Sequence, residues 1–239
     1  MTNRKHYWAV AAWLTAAVLS TSAFADLTTF DNGTEGWSVS GRDTLAATGG
    51  NPGYNMDVDV IDVFGADIRN TTNPAFAGDF SAMGQLRFTV DIRTDGIYYF
   101  GQQVTRDLVV ELRDNTPSSA GYPYVSVWAY LGELDQDVSG WQTYSIDILD
   151  PTATDLPAGW GGYGDEDPHT YEPILPADRT FADVLASVDE IHFTTFVPGY
   201  FFGFTDFYMS VDNVGFVTIP EPATLSLLGL STLLFVRRR

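Results

Sequence analysis

Aromatic side chains recur at alternate positions in one stretch of the chain, a pattern suited to binding sugars. If the stretch is a regular strand, its even-numbered members share one face: Tyr122, Tyr124, Trp128 and Tyr130. Trp160 and Tyr163 follow in a glycine-rich segment, where a tryptophan between glycines has little core of its own to enter. Because the C–H faces of sugars stack on exposed rings, these residues predict a glycan-binding surface. Burial of Trp128 in the core is the alternative.

Carboxylates make up most of the remaining polar chemistry. Between two terminal segments described below, residues 26–218 carry 30 acidic residues and seven arginines, a net charge of −23, with no lysine. Such a surface repels nucleic acids and anionic lipids, which argues against both as partners. It favours cations, and Ca²⁺ in particular prefers carboxylate and carbonyl oxygens. Keeping the protein soluble is the alternative role of these acids.

Groups suited to catalysis are few. His169 follows Asp165, Glu166 and Asp167 in a loop that suits a metal, acid–base chemistry or an ordinary solvated turn. His192 lies in an alternating strand pattern and is expected to face solvent or to be a hydrogen-bonded core residue. The sequence has no nucleophile elbow, no phosphate-binding loop and no cysteine, which excludes thiol and zinc–thiolate chemistry. We therefore expect no enzymatic activity.

Alternation with a period of two dominates the chain and predicts strands with one buried face. The alternating runs are Leu86–Arg93, Asp107–Arg113, Tyr124–Tyr130, Trp141–Ile148, Ile191–Phe196 and Phe207–Val217. A short helix is expected from Thr180 to Ser187, with Asp178 as a candidate cap. Trp37 and Trp141 are assigned to the core. Together these elements predict an all-β fold, an antiparallel two-sheet jelly-roll β-sandwich.

The N-terminal segment has the features of a signal peptide. Basic residues at positions 4–6 precede an apolar stretch from Trp8 to Leu19. Ala23 and Ala25 then give the small-x-small pattern of a signal-peptidase site, with cleavage after Ala25. The sequence therefore divides into a helical signal peptide at 1–25, the sandwich at 26–218 and a tail at 219–239.

The tail combines three features in a fixed order. Pro220, Glu221 and Pro222 precede an apolar run from Ala223 to Val236, and the chain closes with three arginines: Arg237, Arg238 and Arg239. As a helix the apolar run would reach about 21 Å, which is short of a bilayer core of about 30 Å. The arginines would stay on the cytoplasmic side. A span this short suits a segment that is read by a membrane enzyme, and an ordinary tail anchor is the alternative.

This tail resembles the PEP-CTERM sorting signal of exported proteins of Gram-negative bacteria. The resemblance implies a transient stay in the membrane and processing near Pro220 by an exosortase-type transpeptidase. Together with signal peptidase, that enzyme would be the partner during export. The processed protein is expected in the cell envelope, at the cell surface or in the extracellular matrix.

The region between the signals also resembles a known class of domain. Phe30–Trp37 looks like the opening strand of bacterial laminin-B-like and carbohydrate-binding-module-like jelly rolls. Phe76–Phe88 resembles the pattern Phe-x-Gly-Asp-x-Ser-x-x-Gly-x-Leu-x-Phe of laminin-B-like domains. Gly140-Trp141, Phe181–Leu185 and Val211–Val214 continue the resemblance in order. It implies adhesion or glycan contact rather than catalysis, and residues 152–176 depart from it.

The same resemblance implies a structural calcium ion. In such modules an ion often ties the first strand to the last, and the matching positions are Asp31 and Asp212. Asp57 and Asp59, two apart on one strand face, would supply further oxygens or form a plain solvated edge.

The sequence thus predicts an exported, non-catalytic protein that binds glycan or exopolysaccharide in a surface layer or biofilm matrix. One alternative is a purely structural adhesin or matrix protein without a soluble glycan ligand. A more distant one is a polysaccharide-degrading enzyme that uses carboxylates of the 150–176 loop.

Overall fold

The computed structural model describes residues 25–39, 42–135, 138–200 and 203–219. The predicted signal helix with Ala23, the apolar tail helix and the sorting residues lie outside these ranges. Ala23–Ile219 forms one compact unit. Within the described ranges no helix is long and apolar enough to cross a membrane.

Strands make up most of the described chain. They are β1 (Ala25–Thr28), β2 (Trp37–Val39), β3 (Arg42–Gly50), β4 (Gly53–Val63), β5 (Asp67–Asn70), β6 (Leu86–Tyr99), β7 (Gln102–Gln103), β8 (Arg106–Asp114), β9 (Val125–Leu134), β10 (Gln142–Ile148), β11 (Trp160–Tyr163), β12 (Asp165–Glu166), β13 (Pro173–Ile174), β14 (Glu190–Thr194) and β15 (Thr205–Thr218). A short helix, α1, spans Phe181–Leu185, and a 3-10 turn spans Pro74–Phe76.

The strands form two antiparallel sheets that pack face to face, which confirms the predicted jelly-roll sandwich. Sheet A has the order β10-β6-β15-β4-β3, with β7 beside β6 and β1 beside the end of β15. Sheet B has the order β11-β9-β8-β14-β5-β2. A small hairpin of β12 and β13 stands apart from both.

Alternation along the strands produces the core between the sheets. Leu86, Phe88, Val90 and Ile92 of β6 point inward, and the apolar positions of β8, β14 and β15 do the same from both sides. Burying side chains of this size stabilises a fold by roughly 1.5–3 kcal/mol each.

Thr180, rather than the predicted Asp178, caps helix α1. The Thr180 hydroxyl accepts a hydrogen bond from the backbone N–H of Asp183, and the Asp183 carboxylate accepts one from the backbone N–H of Thr180. This reciprocal capping box satisfies donors at the start of the helix. Asp178 instead accepts a hydrogen bond from the hydroxyl of Ser119.

The three tryptophans placed by sequence pattern have different outcomes. Trp37 is buried edge-on against Phe76, as predicted. The prediction that Trp141 lies in the core is wrong, because its Nε1 donates to the carbonyl of Gly49 on the outer side of sheet A. The prediction that Trp160 is exposed is also wrong. It is 8% exposed and packs against Phe181 of the core, with a ring separation of 5.3 Å.

Candidate functional site

The outer face of sheet B is unusual because polar side chains on it are buried. Alternation along β8, β9 and β14 points Glu111, Ser126 and His192 away from the core, towards what would normally be solvent. Glu111 is nevertheless only 1% exposed, and Ser126 and His192 are completely buried. A second layer must therefore cover this side of the sheet.

Part of the cover is the segment of residues 195–200 that follows β14, here called the strap. Its Val197 is buried, and its Tyr200 is 52% exposed. The strap reaches the β12–β13 hairpin, since a Cβ placed on Gly199 would lie 2.7 Å from Cγ of Pro173. The strap, in contact with this hairpin, thus covers part of the outer face of sheet B.

His192 lies at the centre of the buried polar groups. Its Nδ1 is 2.8 Å from Oδ1 of Asp67, and its Nε2 is 2.9 Å from Oε2 of Glu190. Both nitrogens can donate only when the ring is an imidazolium. Burial opposes that charge, but the hydrogen bonds to Asp67 and Glu190 outweigh it and raise the pKa of His192. The hydrogen bond from His192 in turn lowers the pKa of Glu190 to about 2.

Arg113 and Glu111 form a second buried pair beside His192. Nη2 of Arg113 lies 2.7 Å from one carboxylate oxygen of Glu111, and the hydroxyl of Ser126 donates to the other. Burial disfavours the charge of Arg113, but the adjacent Glu111 more than offsets this and raises the pKa of Arg113. The guanidinium also lies 4.5 Å from the centre of the Tyr124 ring, a cation–π contact. The floor of the site is therefore a set of fixed, paired charges.

Three tyrosines pack together at one end of this floor. Tyr163 stacks on Tyr124 with a ring separation of 4.9 Å and meets Tyr122 edge-on at 5.3 Å. A hydrogen bond to Glu166 raises the pKa of Tyr122 to about 12. Because Tyr124 and Tyr163 cover each other's faces, they leave less ring surface for a ligand than their positions alone indicate.

Trp128 and Tyr130 line a cleft beside the strap. The cleft has a volume of about 280 Å³, and it is called the Trp128 cleft below. Its walls are Asp107, Val109, Trp128, Tyr130, Val197 and Tyr200. Trp128 belongs to the sheet and Tyr200 to the strap, so aromatic rings are contributed from both layers. A cavity of this size is at the lower end of the range for small-molecule sites, about 300–1,000 Å³.

Gly161 determines how the Trp128 ring lies. Gly161 is the neighbour of Trp128 on the adjacent strand β11. A Cβ on Gly161 would lie 2.4 Å from Cε2 of Trp128 and 2.5 Å from Cζ2, which is too close for any side chain. The indole therefore extends sideways over the glycine and lies along the sheet.

A second cavity, of about 420 Å³, lies on the other side of the strap. Phe64, Phe196 and Phe204 contribute its rings, and Phe64 stacks on Phe204 with a separation of 4.4 Å. Asp67 and Arg113 line its polar side, and both already belong to the buried ion pairs. The two cavities flank the strap, with Phe196 facing one and Val197 facing the other.

The structure groups five of the six predicted glycan-binding residues on the outer face of sheet B. Trp128 and Tyr130 line the cleft, and the three tyrosines pack at the far end of the floor, whereas Trp160 points into the core. Sequence reasoning missed Asp107, Gly161 and Tyr200. The alternation of β8 could have placed Asp107 on this face, but Tyr200 lies in a loop without periodicity.

The predicted calcium ligands are only partly brought together. Burial, together with the nearby carboxylates of Asp91 and Asp31, raises the pKa of the fully buried Asp212. Asp57 lies elsewhere on sheet A, where Ser210 donates to it, and Asp59 is exposed on the same strand. In the described part of the chain, no group of three or more acidic or histidine side chains is arranged to hold a metal ion.

Asp91 replaces Asp57 and Asp59 as the neighbour of Asp212. Asn51 bridges the two acids, because its backbone N–H donates to Asp212 and its side-chain amide donates to Asp91. Asn213 also donates to both. Oxygen donors that suit Ca²⁺ are therefore present around Asp212, with their lone pairs engaged by N–H groups.

The other candidate metal loop, residues 165–169, spans strand β12 and the hydrogen-bonded turn that follows it from Asp167. Oδ1 of Asp167 accepts hydrogen bonds from the backbone N–H groups of His169 and Thr170. These contacts lower the pKa of Asp167 and account for its position without a ligand.

Comparison with known proteins identifies the tail. Residues 218–239 match the family model of the PEP-CTERM protein-sorting motif, as the sequence predicts. This motif indicates an exported protein that is processed at the cell envelope. No curated protein matches the chain.

Solved structures with a similar arrangement include both kinds of domain that the sequence resembles. The family 11 carbohydrate-binding module of a cellulosomal cellulase from Clostridium thermocellum is 15% identical, with a TM-score of 0.49 over 82% of this chain and 96% of the module. An exo-beta-agarase is 14% identical, with a TM-score of 0.49 over 82% of this chain. The L4b domain of human laminin alpha-2 is 13% identical, with a TM-score of 0.37 over 79% of this chain and 85% of that domain.

These structural likenesses carry no argument about a ligand. This chain spans 25% of the length of the agarase, and every identity is low. The tail, and not the sandwich, is the part of the chain that a family model identifies.

Proposed function

We propose that the mature protein is a non-catalytic module that binds a polysaccharide in the Trp128 cleft. The observation that supports this most directly is the pair of rings that line the cleft from two layers, Trp128 on the sheet and Tyr200 on the strap. A sugar ring has two apolar C–H faces and a rim of hydroxyl groups. Rings on both sides of a cleft suit the faces, and polar groups at its edge suit the rim.

The polar groups needed for the hydroxyl rim are also present. Asp107 lines the cleft and accepts hydrogen bonds, and the phenol of Tyr130, which is 51% exposed, both donates and accepts. The buried ion pairs beneath hold the sheet in one arrangement, so the ligand meets a preformed surface. Preorganisation of this kind reduces the entropy lost on binding.

The place of action follows from the sorting motif. Export and processing at the cell envelope agree with a module that meets polysaccharide outside the cytoplasm. We further propose that an exosortase-type enzyme of a Gram-negative bacterium processes the tail. The mature domain then remains at the cell surface or in the extracellular matrix.

The direct test is retention of residues 26–219 on a panel of immobilised polysaccharides, because this compact unit contains the whole described core. Trp128→Ala should weaken retention about tenfold, since an aromatic contact of roughly 1.4 kcal/mol corresponds to that factor. Gly161→Ala should act in the same direction without removing a ring, because its Cβ must displace the indole of Trp128.

Trp141→Ala is the matched control, since Trp141 is a half-buried tryptophan on the opposite sheet. It should leave retention unchanged. Equal retention of the Trp128 and Trp141 variants, both folded, would show that the cleft is not the binding site. If the unmodified domain binds no polysaccharide at all, the structural adhesin or matrix protein becomes the better explanation.

A further inference from the structure

Two carboxylates face each other at the edge of the Trp128 cleft. Asp107 of β8 and Glu133 of β9 are direct partners across the antiparallel strands. Their neighbours Leu108 and Leu134 are buried in the core, so both acids lie on the outer side of sheet B with Tyr130. Like charges in directly opposed positions destabilise a sheet. The pair therefore does not stabilise the fold, and its presence at this position is better explained by a role in ligand binding.

No cation compensates the pair in the part of the chain that the structure describes. Neither Asp107 nor Glu133 lies within ion-pair distance of an arginine or histidine there. The positive groups of this face are engaged elsewhere: Arg113 with Glu111, Arg69 with Asp67, and His192 with Asp67 and Glu190. The adjacent Arg106 directs its guanidinium to the hydroxyl of Thr205 and the carbonyl of Thr105.

The unpaired negative charge of Asp107 and Glu133 should make the cleft prefer uncharged sugars to sugars that carry a carboxylate. Burial and then the carboxylates of Asp107 and Glu133 raise the pKa of Tyr130, which shows that both acids act on the group that lines the cleft. Carboxylates accept hydrogen bonds from sugar hydroxyls, whereas a carboxylate on the sugar would meet direct repulsion. The net charge of −23 on residues 26–218 adds long-range repulsion of the same sign.

We infer that the Trp128 cleft selects uncharged polysaccharides, and that Asp107 and Glu133 are the residues that reject uronic acids. The inference rests on the proposed function, because it assigns a ligand class to the same cleft. It depends on two acids placed in register beside one aromatic cleft.

A matched pair of polymers provides the test. One is a neutral polysaccharide that the domain retains, and the other is the same polymer oxidised at C6 to the uronate, so that only the charge differs. The unmodified domain should bind the oxidised form at least about tenfold more weakly at low salt, with the difference shrinking as salt screens the charges. The double variant Asp107→Asn, Glu133→Gln should bind both polymers about equally.

Asp59→Asn is the control, because Asp59 is exposed on the outer side of sheet A, away from the cleft. It should keep the full preference for the neutral polymer. Equal binding of both polymers by the unmodified domain would overturn the inference while leaving the proposed function intact. So would tighter binding of the oxidised polymer that EDTA abolishes, because the two acids would then hold a bridging cation. Failure to bind any neutral polymer would overturn the proposed function itself.

Discussion

Each sheet of the sandwich holds buried or half-buried carboxylates on its outer side, and their charges are balanced differently on the two sheets. On sheet B, Glu111 contacts Arg113, and Asp67 and Glu190 contact His192. Glu111 therefore touches a permanent cation, and Asp67 and Glu190 touch a ring that becomes a cation when it is protonated. Charges paired in this way hold the side chains of the floor in fixed positions.

On sheet A, the buried acids meet neutral donors instead. Asp91 and Asp212 receive hydrogen bonds from Asn51 and Asn213, and the hydroxyl of Thr143 adds a further bond to Asp91. Neither acid has an ion-pair partner among the described residues. Hydrogen bonds satisfy the lone pairs but leave the negative charge.

The difference between the sheets separates two kinds of site. The balanced cluster of sheet B suits a surface that presents rings and hydrogen bonds to a polar, uncharged ligand. The unbalanced cluster of sheet A suits a cation that would stabilise the fold. Calcium therefore remains a proposal for Asp212 with the neighbouring Asp91, two carboxylates that would need backbone and water oxygens to complete the coordination shell. It is not proposed for Asp57 or Asp59.

Removing a cation from the balanced cluster should have the largest effect. Arg113→Met leaves the buried Glu111 without its partner, and breaking a buried pair in this way typically costs about 3–5 kcal/mol of unfolding free energy. Urea denaturation of the domain measures the loss. Arg87→Met is the matched control, because Arg87 and Asp147 form an exposed pair worth at most about 1 kcal/mol. Equal losses in both variants would mean that the sheet B cluster behaves as an ordinary surface pair.

Calcium should have an intermediate effect. At about 100 times its dissociation constant, a bound ion would raise the unfolding free energy by roughly 2.7 kcal/mol, and EDTA should reverse this. Asp212→Asn should abolish the response while leaving the calcium-free domain no less stable, because it removes a buried charge that Asp91 and Asp31 repel. An unchanged melting temperature in excess EDTA would refute a structural calcium ion.

Titration of His192 should have the smallest effect. Its pKa is raised in the folded state, so its contribution is complete below about pH 6.5, the unfolded value, and is lost as pH rises through the folded pKa. The contribution of Glu190, whose pKa is lowered to about 2, is lost instead as pH falls from about 4.5 towards that value.

Unfolding free energies measured from about pH 5 to pH 9 should therefore decline on the alkaline side. His192→Gln should flatten this decline, and His169→Gln, in an exposed turn, should leave it unchanged. If the His192 variant keeps the full slope, other groups cause it.

The alternating patterns account for most of the fold that could be predicted. The run from Leu86 to Arg93 forms the first part of β6, and Trp141–Ile148 matches β10 apart from its first residue. One buried face per strand is a property of the strand itself, so it is visible in the sequence. The layer that covers sheet B depends instead on the path of the loops across its surface. Loops have no repeating pattern in the sequence from which that path could be predicted.

Trp160 and Tyr200 illustrate this limit of sequence prediction: Trp160 was predicted to belong to the site but does not, and Tyr200 was not predicted but does. Between glycines, Trp160 had no neighbouring side chain to indicate its face, and its partner Ala129 across the sheet determines that it points inward. Tyr200 belongs to an irregular loop, yet the path of the strap brings it beside Trp128. The sequence therefore predicts that the site is aromatic, but it does not predict which aromatic residues line it.

The pairing of β1 with the end of β15 has a consequence for how the chain can be reconnected. Ala25 lies opposite Val217, so the first and last strands leave the sandwich side by side at the same end. Neighbouring termini are what circular permutation requires. A short linker from residue 219 back to residue 26, with new ends opened in the exposed turn at 119–121, should give a domain that keeps both sheets. Such a permutant could be displayed or immobilised through the loop between β8 and β9 instead of through its natural termini.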